Sequence, residues 1–77
     1  MTGPSRAAFS EHALDQLARR GLSEQQVAET VLVGHPQRKR NPGSADWLVT
    51  GRRLEVVYNW PDRGDRTMAY IVSVWPE

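Results

Sequence analysis

Cysteine is absent from the 77 residues of this chain, which removes disulfides, thiolate metal sites and cysteine nucleophiles together. Long hydrophobic runs are absent too. No stretch approaches the roughly 20 apolar residues of a membrane-spanning helix, and no signal segment follows the opening Met-Thr-Gly-Pro-Ser-Arg. The expectation is a cytoplasmic protein with no membrane association. Histidine is scarce: His12 and His35 are the only two, and their separation is not that of metal ligands, so no metal site and no cofactor is expected. A glycine-rich phosphate loop and a Ser-His-Asp signature are also missing. Lysine is nearly missing: Lys39 stands alone among ten basic residues, and the other nine are arginines. Arginine's planar fork suits phosphate better than lysine's point charge. Genome composition or heat adaptation enriches arginine just as well.

The net charge of +1 points to no partner by itself, but its distribution is uneven. Residues 1–34 carry three arginines (Arg6, Arg19, Arg20) against four carboxylates (Glu11, Asp15, Glu24, Glu29). Residues 35–66 carry Arg38, Lys39, Arg40, Arg52, Arg53, Arg63 and Arg66 against Asp46, Glu55, Asp62 and Asp65. The second stretch is therefore the cationic one. At this length the chain makes one domain, residues 1–77, with residues 1–8 as a flexible or short-strand start. So short a chain buries a modest core, which makes a partner or self-association a source of stability.

The stretch from Phe9 to Ser23 specifies a helix, a stop and a second start. Ser10 is an N-cap residue, Phe9 and Leu14 sit at hydrophobic-staple positions, and Ala13, Leu14, Leu17 and Ala18 share one side. Gly21 supplies the left-handed stop. Ser23 and Gln26 have capping-box spacing, Val27, Ala28, Val31 and Leu32 form a second stripe, and Gly34 and Pro36 end it. The pattern then turns to strands. Gln37 to Arg40 reads as a short basic edge strand, and Asn41-Pro-Gly-Ser44 as a turn. Trp47–Thr50 and Arg53–Trp60 flank Gly51-Arg52, read as a two-residue hairpin loop that sets Val49 opposite Leu54 and Trp47 opposite Val56. Trp47, Val49, Leu54, Val56 and Tyr58 then form the core face. Thr67 to Trp75 reads as an interior strand with Tyr70, Val72 and Val74 toward the core and Ile71, Ser73 and Trp75 on the open face beside Glu55. The sum is an α+β fold: two N-terminal helices packed on an antiparallel sheet of three to four strands.

Several residues suit phosphate chemistry, each with a plainer reading beside it. His12 shares an outward ridge with Gln16 and Arg19, with Arg20 nearby. Histidine moves protons near neutral pH and arginine holds phosphate, but His12 serves equally to cap its helix. Arg38, Lys39 and Arg40, with Arg52 and Arg53, border a phosphate track or are simply solvated. Arg53 and Glu55 alternate on one strand: a carboxylate among cations acts as a general base or as one half of a cross-strand ion pair. Most of the aromatic residues are core candidates, while Trp75 is placed to stack a base.

Phe9-Ser-Glu-His12-Ala13, Leu17, Arg20-Gly21-Leu22-Ser23 and Val27, followed by strands, resemble the domain-of-unknown-function family four-two-five-eight over roughly residues 8 to 75. That family is similar to the RelE/MqsR-like toxins. The resemblance implies a RelE-like fold and a metal-independent endoribonuclease of a bacterial toxin–antitoxin pair, with an antitoxin and RNA as partners. On that reading His12, Arg53 and Glu55 are the catalytic candidates, and Arg20, Arg38, Lys39, Arg40, Arg52 and Trp75 the RNA-binding ones. The alternatives are a non-catalytic protein- or RNA-binding module of the same fold, and a homodimer formed through an edge strand.

Overall fold

The computed structural model describes residues 3–43 and 45–77. In chain order it contains β1 (Arg6–Phe9), α1 (Glu11–Arg20), α2 (Glu24–Gly34), a single 3-10 turn (His35–Gln37), β2 (Lys39–Arg40), β3 (Trp47–Gly51), β4 (Leu54–Asn59) and β5 (Met68–Pro76). The predicted turn at Asn41 to Ser44 is described as far as Gly43; Ser44 lies outside the described residues, as do Met1 and Thr2 of the predicted N-terminal start.

The helix signals act as their chemistry requires. The Ser10 hydroxyl oxygen accepts the Ala13 N–H at 3.0 Å, and its proton goes to the Val72 carbonyl at 2.9 Å. One side chain thus caps α1 and ties it to β5. Gly21 ends the helix at φ 67°, a left-handed conformation that costs a residue with a Cβ about 1–2 kcal/mol. At α2 the capping box is reciprocal: Ser23 Oγ accepts from Gln26 N at 3.0 Å, and Gln26 Oε1 accepts from Ser23 N at 2.9 Å. The buried strip of α1 is narrower than the sequence suggests. Ala13 and Leu17 are buried, whereas Leu14 and Ala18 are exposed. On α2 Val27, Thr30 and Val31 are buried.

The sheet departs from the expected three to four antiparallel strands. It has five strands in the order β1-β5-β4-β3-β2, and it is mixed, because β1 runs parallel to β5. The edge pair Arg6 to Phe9 with Met68 to Ile71 joins opposite ends of the sequence. Arg-Ala-Ala-Phe has no alternation by which to announce a strand.

Two details of register also differ from expectation. The β3–β4 turn is Arg52-Arg53 rather than Gly51-Arg52, so Gly51 pairs Leu54, Val49 pairs Val56 and Trp47 pairs Tyr58. Both turn residues have positive φ, 52° and 64°, the conformation that a two-residue hairpin needs to match strand twist. The slip moves the register by two residues, an even number, so the side chains that stay in β3 and β4 keep their predicted faces, while Arg53 leaves the strand for the turn. On β5, Val57 pairs Ser73 while Tyr58 pairs Ile71, which leaves Val72 as an extra, bulged residue. The bulge inverts the parity before it. Ile71, expected on the open face, is fully buried, and Tyr70, expected in the core, pairs Asn59 and is only half-buried.

Ala13 and Leu17 of α1, Val27 and Val31 of α2, and Val49, Leu54, Val56, Tyr58, Ala69, Ile71 and Val74 of the strands form one buried cluster. Burial of this apolar set, at roughly 25 cal/mol per Å², is the main favourable term holding helices and strands together.

Candidate functional site

Because Leu54, Val56 and Tyr58 point into the core, Glu55 and Val57 take the opposite side of β4. The register sets Trp75 beside Glu55 and Ser73 beside Val57. The Trp75 indole N–H donates to the Glu55 carboxylate through Oε2. Next along β5, the Ser73 hydroxyl and the Val74 N–H both donate to Gln16 Oε1, at 3.0 and 2.8 Å. Gln16 therefore closes the edge of β5 that β1 leaves unpaired past Ile71, and it ties the ridge of α1 to the rim of this face. His12 and Arg20 lie four residues to either side of Gln16, hence on the same side of the helix, and both are exposed. The sequence brought Glu55 and Trp75 together correctly, because both lie beyond the bulge. It placed Gln16 on the His12 ridge but gave no sign that its carbonyl oxygen serves β5.

Arg53 does not alternate with Glu55 along a strand. It sits at the hairpin tip in the left-handed region, exposed, and its carbonyl accepts the Glu77 N–H at 2.9 Å. Arg52 beside it pairs with Glu29 at 3.0 Å. The Arg52 guanidinium, through this hydrogen bond, holds the Glu29 carboxyl below its ordinary range. Asn59 accepts the Asp46 N–H at 2.9 Å and so fixes the start of β3. Among the described residues, no hydrogen bond or ion pair joins His12, Arg53 and Glu55 to one another.

A left-handed arginine at the tip carries backbone strain. Replacing Arg53 with glycine is expected to stabilise the fold by about 0.5–1 kcal/mol, the relief of strain less glycine's own entropy cost. Urea unfolding of the two proteins measures it; an unchanged or lower midpoint would show that the arginine is not strained there.

The predicted basic stretch lies at the other end of the sheet. Arg38 follows the 3-10 turn, half-buried, and Lys39 and Arg40 form β2, exposed. The Arg38 guanidinium carbon lies 4.2 Å from the centroid of Trp47 and 5.5 Å from that of Trp60. Arg40 lies 5.1 Å from Trp47, and Arg66 lies 5.9 Å from Trp60. Beneath them His35, 3% exposed, meets the hydroxyl of the fully buried Tyr58 through Nδ1 at 2.6 Å. The His35 ring also meets Trp60 edge-on, with centroids 4.6 Å apart. Burial, helped by the Arg38 charge, pushes the His35 imidazole below its ordinary range, and burial raises the Tyr58 phenol far above its own. Trp47, Trp60, Arg66 and His35 were missed in the sequence as a group. The group is assembled from separate stretches of chain between residues 35 and 66, and the available signal was the density of arginine and tryptophan there.

No helix is long and apolar enough to cross a membrane, and among the described residues no three His, Cys, Asp or Glu side chains are grouped to hold a metal ion. A family model described as Domain of unknown function (DUF4258) matches residues 9–76. No curated protein and no solved structure matches the chain.

Proposed function

The chain belongs to this domain-of-unknown-function family, and we propose for it, on its own residues, the role of a RelE-like, toxin-type endoribonuclease that works without metal in the cytoplasm. The observation that carries the reading is the polar row Gln16–Ser73 and Trp75–Glu55 on the sheet face away from the core, bordered by exposed His12 and Arg20 on α1. Polar groups on a sheet that shares its core with two helices suit the RelE-like arrangement that the resemblance implies.

Metal-free RNA cleavage needs a base to take the 2′-hydroxyl proton, an acid to protonate the departing 5′-oxygen, and a cation beside the phosphorus as its charge builds. Glu55 is the base: one carboxylate oxygen is held by the Trp75 indole, and the other has no hydrogen bond among the described residues. His12 is the acid, and Arg53 at the hairpin tip, one residue beyond Leu54, holds the phosphate. Trp75 supplies a ring for a base to stack on, and Arg20 extends the cationic border, while Arg52 is held by Glu29 of α2. The bond formed is 2′-oxygen to phosphorus and the bond broken is phosphorus to 5′-oxygen, which leaves a cyclic phosphate and a 5′-hydroxyl. An antitoxin partner would cover this face when cleavage must be silent.

Cleavage of total RNA by the purified protein in chelator tests the reading. Glu55→Gln and His12→Ala are each expected to slow it by about 10²–10⁴-fold, the usual contribution of a general acid or base. Undiminished cleavage by both variants would remove the residue assignment, and no cleavage of free or ribosome-bound RNA would remove the activity. A second reading, RNA binding without turnover, is favoured by one observation: among the described residues no hydrogen bond or ion pair joins the three catalytic candidates to one another. Salt-dependent RNA affinity with no product would establish it in place of the first.

A further inference from the structure

The Arg38–Trp47–Trp60 end of the sheet is built as a site of its own. Three arginines reach it from two separate stretches of chain, β2 with its lead-in and the β4–β5 loop, and lie over two indoles. The indoles are fixed from behind. Trp47 Nε1 donates to the Trp60 carbonyl at 3.3 Å, and Trp60 Nε1 donates to the Arg66 carbonyl at 3.0 Å. Arg38 is fixed as well, by its Nη1 donating to the His35 carbonyl at 3.1 Å. The aromatic planes thus cannot swing away from the guanidinium groups that cover them.

The charge there is not neutralised. Ion pairs among the described residues join Arg6 to Asp65, Arg19 to Asp15 and Arg52 to Glu29; none reaches Arg38, Lys39, Arg40 or Arg66. Arg38 Nε is buried with no hydrogen-bond partner among the described residues. A core that needed only filling would place leucine or methionine over Trp47 and avoid burying that donor. Arg40 and Arg66 are exposed, with no side-chain hydrogen bond among the described residues to occupy their N–H edges.

We infer that this end of the sheet binds single-stranded nucleic acid, at a site separate from the polar row that carries the cleavage reading. Phosphates meet the free N–H edges of Arg40 and Arg66. An unpaired base lies flat on the layered guanidinium and indole planes and continues the stack. An acidic peptide would use the edges and leave the flat layers unused. A duplex would offer phosphates but keep its bases stacked away. RNA and DNA share the chemistry named here, and the test separates them.

The probe is a fluorescently labelled oligodeoxyuridylate, beside the oligouridylate of the same length. The DNA strand has no 2′-hydroxyl, so the proposed cleavage cannot touch it, and binding is read with or without turnover. Arg40→Ala with Arg66→Ala is expected to weaken binding of both strands at least tenfold and to lower the slope of log affinity against log salt by about one to two. Arg40→Lys with Arg66→Lys should keep that slope while losing the quenching of tryptophan fluorescence that a stacked base produces. Arg63→Ala, which removes a charge from the β4–β5 loop outside the stack, should stay within about twofold of the parent. Circular dichroism melts check that the variants, all at exposed positions, stay folded. Parent-like affinity in the folded double alanine variant would overturn the site. Displacement of the oligonucleotide by polyglutamate at equal charge, or tighter binding of duplex than of single strand, would overturn the assigned ligand. Binding of the RNA strand alone would narrow the site to RNA and support it.

Discussion

Replacing Gly34 with alanine is expected to destabilise the protein by about 1–3 kcal/mol, although alanine is the better helix former by about 1 kcal/mol. Gly34 ends α2 in an ordinary right-handed conformation (φ −84°, ψ −11°), so the backbone has no need of glycine. Space is what requires it. A Cβ at Gly34 would stand 2.4 Å from Cγ1 of Val49, with Val49 Cβ at 3.7 Å and Cγ2 at 3.8 Å. Val49 is buried on β3, and its β-branched side chain cannot leave its rotamer without driving a methyl into packed neighbours. The measurement is a double-mutant cycle in urea. Val49→Ala alone opens a cavity and costs stability. In that background Gly34→Ala should become neutral or stabilising, because the clash is gone and helix propensity remains. An equal loss in both backgrounds would show that Gly34 answers to its backbone after all.

The second large effect is a dependence on pH that runs through His35. Its folded-state pKa lies below the ordinary value of 6.5, chiefly because burial disfavours the charged ring and secondarily because Arg38 repels it. The unfolded chain therefore takes up this proton first as pH falls. The contribution of neutral His35 is complete above about pH 6.5 and is lost as pH drops below it, with a limiting slope of about 1.4 kcal/mol per pH unit. Glu29 and Asp65 act in a lower window. The hydrogen bonds from Arg52 to Glu29 and from Thr67 to Asp65 hold both carboxyls low, so their contributions disappear only in more acid solution. Urea midpoints between pH 7.5 and 5 should fall for the parent and stay nearly flat for His35→Gln. Tyr58→Phe tests the partner: it removes the hydroxyl from a fully buried position and leaves Nδ1 of His35 unpaired, at a cost of about 1–3 kcal/mol at pH 7.5. A parent-like midpoint for Tyr58→Phe would show that the 2.6 Å contact contributes nothing to stability.

The sequence was most legible where information is local. Ser10, Gly21, Ser23 and Gln26 act through backbone groups within four residues, so their roles could be read without knowing what the helices touch. The faces of β3 and β4 were legible because alternation has a period of two and the slipped turn moved it by two. Alternation failed on β5, where the bulge at Val72 is marked by neither glycine nor proline. It failed again at β1, whose parallel partner is known only from the folded topology. The candidate site divides in the same way. Glu55 and Trp75 were paired from the strand pattern, and His12 and Gln16 were placed on one ridge from the helical period. The Gln16–Ser73 link and the arginine–tryptophan stack depend on which elements meet, and nothing local to Arg38, Trp47, Trp60 or Arg66 foretells it.

The parallel pairing of β1 with β5 also orders events in time. Arg6 finds Met68 and Phe9 finds Ile71, each 62 residues further along the chain, so a long loop must close before the pair can form. The helices and the β3–β4 hairpin are local and can form as soon as they are synthesised. β1 cannot, since its partner β5 is made after the other strands of the sheet. Until then the Ser10 hydroxyl has no Val72 carbonyl and the Gln16 amide has no Val74 N–H, so α1 is a helix without a place to dock. The face bounded by His12 and Trp75 accordingly does not exist in a nascent chain. It comes into being when β1 meets β5, so that any activity housed there begins with the closed sheet and not before.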